Sequence, residues 1–199
     1  MVFQNTTTLA LQWATKRPPG ATGRPDAQIA FEILSRLRQL TWLYGEIQRL
    51  ETVYWAAYHT QHGEFQPDTN YVIVFFASEI PKILPAEFSV EDQLRVLVES
   101  FYYISHRLVT ILDQCQAQLP GLKPVKAAAI RRVRNNLIEH ANKSGGRFAY
   151  WFSISNASGV RLRSAAPSDA GDTFLDEGIH RNAKDLDAEL KMMFREIAA

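Results

Sequence analysis

The sequence predicts a mainly α protein: a helical bundle of about four core helices, followed by a short C-terminal β-hairpin and a closing helix. Three observations carry this. Apolar residues recur every three or four positions over three long stretches, which is the period of an amphipathic helix. Alternation of apolar and polar residues is confined to positions 148–164. The composition, 46% hydrophobic and 22% charged over 199 residues, is that of an ordinary globular chain. A chain of this size buries roughly 70% of its unfolded surface and needs no staple.

The reading divides the chain at positions 26 and 147. Positions 1–25 read as an extended N-terminal tail, because Pro18, Pro19, Gly20, Gly23 and Pro25 prevent a regular element. Phe3, Leu9, Leu11 and Trp13 form a short strand there or pack onto the body. Positions 26–146 read as the bundle. Asp26 is an N-cap, and Ile29, Ile33, Leu37, Leu40, Tyr44, Ile47, Leu50, Tyr54 and Tyr58 mark a helix over 27–62 that stops at Gly63. Positions 71–84 pit a β-prone run, Tyr71 to Phe76, against the N-cap candidates Asp68 and Thr69. A buried helix kinked at Pro81 is the expectation.

Ser89 and Asp92 resemble a capping box, opening a helix marked by Leu94, Leu97, Val98, Phe101, Ile104, Leu108, Ile111 and Leu112. It ends near Leu119-Pro120-Gly121. Pro124 suits the first position of a fourth helix, which runs to about Asn142 before Gly145 and Gly146 cap it. Positions 147–199 read as the hairpin, turning at Asn156–Gly159, then a loop over 166–178, then a helix capped by Asn182. Leu186, Leu190, Met193, Phe194 and Ile197 share one face of that helix.

Several function classes drop out. Cys115 is the only cysteine, so neither an internal disulfide nor a cysteine-rich metal site forms. The start lacks a basic segment followed by a long apolar one, and the longest wholly apolar run, 71–77, falls far short of the ~20 residues a membrane helix needs. The sequence reads as cytoplasmic, with no membrane partner. There is no phosphate-binding glycine loop, nucleophile elbow or dinucleotide fingerprint, so no cofactor is expected. His59 and His62, with Glu64 beyond, lack a third metal ligand, and no metal is assigned. Glu99 and His106 share a helix face and read as an interhelical hydrogen bond. Trp42, Tyr44, Tyr54, Trp55 and Tyr58 lie at helical spacing and read as core and dimer surface.

The charge is unevenly spread. Overall it is +1, but positions 123–147 hold seven basic residues and one acidic residue, Glu139. That segment is +6 and leaves −5 on the rest, a pattern suited to phosphate. Within it lies RRVRNNLIEHANKSGG, with Arg134, Asn135 and His140 close together. An Arg offers a fixed charge and a forked donor that matches phosphate, and a His carries a proton near neutral pH. Together they suit metal-free phosphoryl chemistry on RNA. Six residues of ideal helix leave the two side chains about 120° apart and about 9 Å along the axis. Arg134 must curl round the helix, or the same helix of a second subunit must complete the pair.

The stretch resembles the signature of the HEPN family: an Arg, a polar residue beside it, and a His after four to six intervening residues. Here Arg134 and His140 have five between them, with Asn135 in the polar place, in the last long helix of a helical body. The resemblance implies a metal-independent endoribonuclease, a homodimer with facing motifs, Arg134 and His140 as the catalytic pair and Asn135 as an adjoining site residue. Arg131, Arg132 and Lys143 are the candidate nucleic-acid contacts. Members of that family also act without catalysis, so the alternative is a nucleic-acid- or protein-binding module with a structural Arg/His motif. Its partners are RNA, a second copy of the chain, or a protein such as an antitoxin.

Overall fold

Asp26 starts the longest element. Its carboxylate accepts the backbone N–H groups of Gln28 and Ile29 at 2.9 and 3.0 Å, satisfying two donors the helix cannot. In the computed structural model, which describes residues 2–15, 26–64, 69–75, 89–115, 124–134, 150–164 and 175–198, this helix runs Ala27–His62 as expected. It ends at Gly63, where φ is +84°.

Among the described residues there are five helices and four strands: α1 (Gln4–Thr15), α2 (Ala27–His62), β1 (Val72–Phe75), α3 (Val90–Gln114), α4 (Ala128–Val133), β2 (Tyr150–Ser155), β3 (Gly159–Ser164), β4 (Leu175–Gly178) and α5 (Ile179–Ala198). The protein is therefore mainly helical, with a small antiparallel sheet and a closing C-terminal helix. No helix among the described residues is long and apolar enough to cross a membrane.

The core lies where α2, α3 and α5 meet. Ile33, Leu37, Leu40 and Ile47 of α2 are fully buried, as are Leu94, Phe101 and Leu108 of α3 and Leu190 and Phe194 of α5. Phe101 packs between Phe3 and Tyr44, with ring centroids 6.2 and 6.5 Å away. Ser89 caps α3 as expected, its hydroxyl accepting the N–H of Asp92.

The four strands are ordered β1-β2-β3-β4, each antiparallel to its neighbours. The expected hairpin is β2–β3, with Phe152 opposite Leu162 and Ile154 opposite Val160. The buried side chains of Ile154, Val160 and Leu162 join the core.

Five expectations need correction. The N-terminal segment is not extended: Gln4–Thr15 is helical, because the breaking prolines begin only at Pro18 and because Thr6, Ala10 and Trp13 find burial. The Thr6 hydroxyl donates to Asp187 Oδ1 at 2.5 Å, and Trp13 packs on Phe194 at 5.6 Å. Val72–Phe75 is a strand rather than part of a helix. Its partner is the distant β2 (Val74 stands opposite Ser153), so no nearby sequence announces it. The remaining positions of that expected helix, 76–84, lie outside the described residues.

The α3 helix stops at Gln114, with Cys115 as its C-cap, short of Leu119. The fourth helix begins at Ala128, not Pro124: Ala127 adopts a left-handed conformation (φ 39°, ψ 43°), and the N–H groups of Lys126 and Ala127 go to Glu189 of α5 at 2.8 and 3.2 Å. Part of the expected loop over 166–178 is strand β4, and α5 starts at Ile179. Asn182 thus lies inside α5 with its side chain buried, not at its cap.

Candidate functional site

The Arg-rich motif enters through α4. Four of the six residues of α4 are anchored. Ile130 and Val133 are buried. Arg131 pairs with Asp113 of α3 and donates to the carbonyls of Val125 and Lys126 at 3.3 and 3.2 Å. Arg132 forms an ion pair with Glu177 of β4, its Nε 2.7 Å from Oε1. Two arginines one position apart point about 100° apart on a helix, so the pair ties α4 to α3 on one side and to the sheet on the other.

Glu177 is held in turn. Asn182 donates to its Oε2 at 3.1 Å and to the Tyr102 hydroxyl at 2.8 Å. Burial pushes the Tyr102 hydroxyl well above its ordinary range; the bond from Asn182 opposes this, the Glu177 charge adds to it, and the Arg161 charge works against it.

Arg134 continues the helical backbone (φ −59°, ψ −49°) and is half-buried. Asn135, His140 and Lys143 lie outside the described residues. The structure therefore brings together Arg131, Arg132 and the start of the Arg134 turn, with both arginines engaged to carboxylates.

A second constellation was not anticipated. His180, at the start of α5, stands between two α2 residues: its Nδ1 is 2.9 Å from the Tyr44 hydroxyl and its Nε2 is 2.8 Å from Glu51 Oε2. Glu51 Oε1 accepts the backbone N–H of Val160 at 2.7 Å. The imidazole also meets the Tyr44 ring edge-on, with centroids 5.5 Å apart. Burial, then the Glu51 charge, raises the Tyr44 hydroxyl above its ordinary range.

These groups line a cleft of about 840 Å3 between α2, α5 and the β2–β3 turn, with Gln48, Thr52, Trp55, Lys184 and Asp187. Both imidazole nitrogens are occupied. With Nε2–H donated to Glu51, Nδ1 accepts from Tyr44; as an imidazolium, both nitrogens donate. Neither state leaves a free lone pair for a substrate proton, so the triad is a latch between helix and sheet. The sequence held one signal for it: Glu51 sits seven residues after Tyr44 and beside Leu50, a carboxylate on the buried stripe. Nothing comparable marked His180.

The other candidates are locally engaged. His59 Nδ1 is 3.1 Å from the Gly63 carbonyl oxygen, and the His62 ring stacks against Tyr58 at 4.4 Å. Among the described residues no group of three or more His, Cys, Asp or Glu is gathered for a metal. The Thr110 hydroxyl lies 3.4 Å from His106 Nδ1 and donates to the His106 carbonyl at 2.9 Å. Cys115 is half-buried against the core.

Compared with known protein families, curated proteins and solved structures, the chain matches none.

Proposed function

We propose that the chain is a HEPN-like helical protein that cleaves RNA without a metal. Arg134 and His140 are the catalytic pair, Asn135 adjoins them, and Lys143 contacts RNA phosphate. The observation that carries the proposal is the spacing of Arg134-Asn135 and His140 within a segment of charge +6. His140 takes the proton of a ribose 2′-hydroxyl. The 2′-oxygen attacks the adjacent phosphorus, the bond to the 5′-oxygen breaks, and the leaving oxygen takes a proton from water as the His140 imidazolium returns its own to solvent, so that a cyclic phosphate and a 5′-hydroxyl result. Arg134 holds the phosphate oxygens as charge grows on them.

In this reading Arg131 and Arg132 serve chiefly to position the motif. Their pairs with Asp113 and Glu177 anchor α4, whose end carries Arg134. The same pairs leave Arg131 and Arg132 less to offer RNA phosphate, which gives weight to the alternative of a non-catalytic nucleic-acid- or protein-binding module in its protein-binding form.

The test is incubation with single-stranded RNA in EDTA, beside Arg134→Ala and His140→Ala chains. Cleavage by the unaltered chain alone, leaving cyclic-phosphate ends, supports the enzyme. Binding without cleavage replaces it with the module, and neither activity removes both.

A further inference from the structure

Three large apolar side chains on α2 are turned to solvent: Phe31 at 67% exposure, Trp42 at 61% and Val53 at 41%. They recur every eleven residues, a spacing that returns to within about 20° of the same direction on an α-helix. They therefore form one stripe about 33 Å long. Gly45 lies one turn beyond Trp42 beside this stripe. A Cβ added there meets nothing within 4 Å, so no contact among the described residues requires glycine. Glycine weakens a helix interior, and at this half-buried position, open where a Cβ would stand, it suits the close approach of another backbone.

The stripe matches itself. Measured from Trp42, Phe31 lies eleven residues before and Val53 eleven after. Arg38 lies four before and Glu46 four after, with opposite charges. Arg38 has no ion-pair partner among the described residues, while Glu46 is paired along its own helix with Arg49 at 2.8 Å. A two-fold axis through Trp42 sets two copies of α2 antiparallel. It brings Phe31 of each against Val53 of the other, and Arg38 of each to the height of the other's Glu46. A surface that is complementary to itself is the mark of an isologous dimer.

We infer that the exposed face of α2 is the contact between two copies of this chain, antiparallel and centred on Trp42. The inference does not rest on the RNA reading, and neither readout below involves RNA.

The test is sedimentation equilibrium of the full chain, with cysteine cross-linking in a Cys115→Ala background. The expected mass is twice the 22.6 kDa of one chain. Trp42→Glu weakens the dimer at least about tenfold, as loss of a central aromatic anchor does, while circular dichroism stays unchanged. Gly45→Gln, which fills the approach surface, also weakens it. On oxidation, a Phe31→Cys chain mixed with a Val53→Cys chain cross-links between the two, and neither does so alone, because equivalent positions lie about 33 Å apart. A monomer at 100 µM (roughly the upper working range for weak dimers), a dimer indifferent to Trp42→Glu, or cross-links within either single-cysteine chain overturns the inference.

Discussion

The Nε2 of His180 lies 2.8 Å from the carboxylate of Glu51, a bond that joins residues 129 positions apart. Glu51 faces outward from α2 to meet α5 through His180 and β3 through the Val160 N–H. Tyr44, two helical turns earlier, holds the other imidazole nitrogen. One carboxylate thus fixes three elements, and its own residue is only 8% exposed. A buried carboxylate survives at such a place because both its oxygens accept hydrogen bonds.

Replacing Glu51 with Ala leaves the Val160 N–H and one imidazole nitrogen without their acceptor. The expected loss is about 2–3 kcal/mol of unfolding free energy, the range for bonds to charged groups and for orphaned buried donors. Glu51→Gln retains an acceptor oxygen and loses less. Urea unfolding of the two variants checks the order, and equal losses would count against the two-sided role of the carboxylate.

Gly159 sets how closely the β2–β3 turn approaches this latch. Its φ is +69°, and an added Cβ would stand 2.3 Å from His180 Nε2 and 2.7 Å from Glu51 Oε1. Gly159→Ala therefore carries the left-handed penalty of about 1–2 kcal/mol plus a steric conflict with the imidazole. In a His180→Ala background the conflict with the imidazole disappears and only the contact with Glu51 Oε1 remains. Thermal unfolding of the single and double variants should give strong coupling between the two sites; additive effects would place the conflict elsewhere.

Asn182 bridges Tyr102 and Glu177, and Glu177 in turn holds Arg132 at the start of the motif helix. Asn182→Ala removes both bonds at a site 3% exposed, with an expected cost of about 2 kcal/mol. Under the proposed function it also loosens the entry to Arg134. RNA cleavage should fall while Asn182→Asp, which keeps the shape of the side chain but reverses its donor character, fails to restore it. Cleavage unchanged in a folded Asn182→Ala chain would separate this network from the motif.

Much of the helical body was legible because its signals are local. The Asp26 cap, the stripe from Ile33 to Leu50, the Gly63 stop and the Ser89 cap each act within one or two turns, and α2 has the expected bounds. What was missed depends on distant partners. The Val72–Phe75 run became a strand because β2 supplied its ladder, and Gln4–Thr15 became a helix because α5 offered Asp187 and Phe194. Asn182 looked like a cap, yet its partners Tyr102 and Glu177 draw it into the interior. For the site, the basic segment and the Arg134 spacing were visible in sequence. The engagement of Arg131 and Arg132 was not, since Asp113 and Glu177 lie 18 and 45 positions away.

The sheet carries an acid-sensitive clasp. Asp176 of β4 accepts from Arg161 Nε at 2.7 Å and from Arg163 Nε at 3.2 Å, both on β3. Partial burial pushes its carboxyl up, but the hydrogen bond and charge of Arg161, joined by those of Arg163, outweigh this and hold it below the ordinary value of 3.8. A carboxyl depressed in the folded state stabilises the fold above its unfolded value and loses that contribution as pH falls through the folded one. The unaltered chain should therefore be more stable than Asp176→Asn at neutral pH. The gap should begin to close as pH drops below about 4 and vanish in stronger acid. Because the pair is partly exposed, the gap should also narrow in high salt. Urea unfolding of both chains across this acid range checks the sign: a gap that widens toward low pH would mean that the arginines do not stabilise the Asp176 charge.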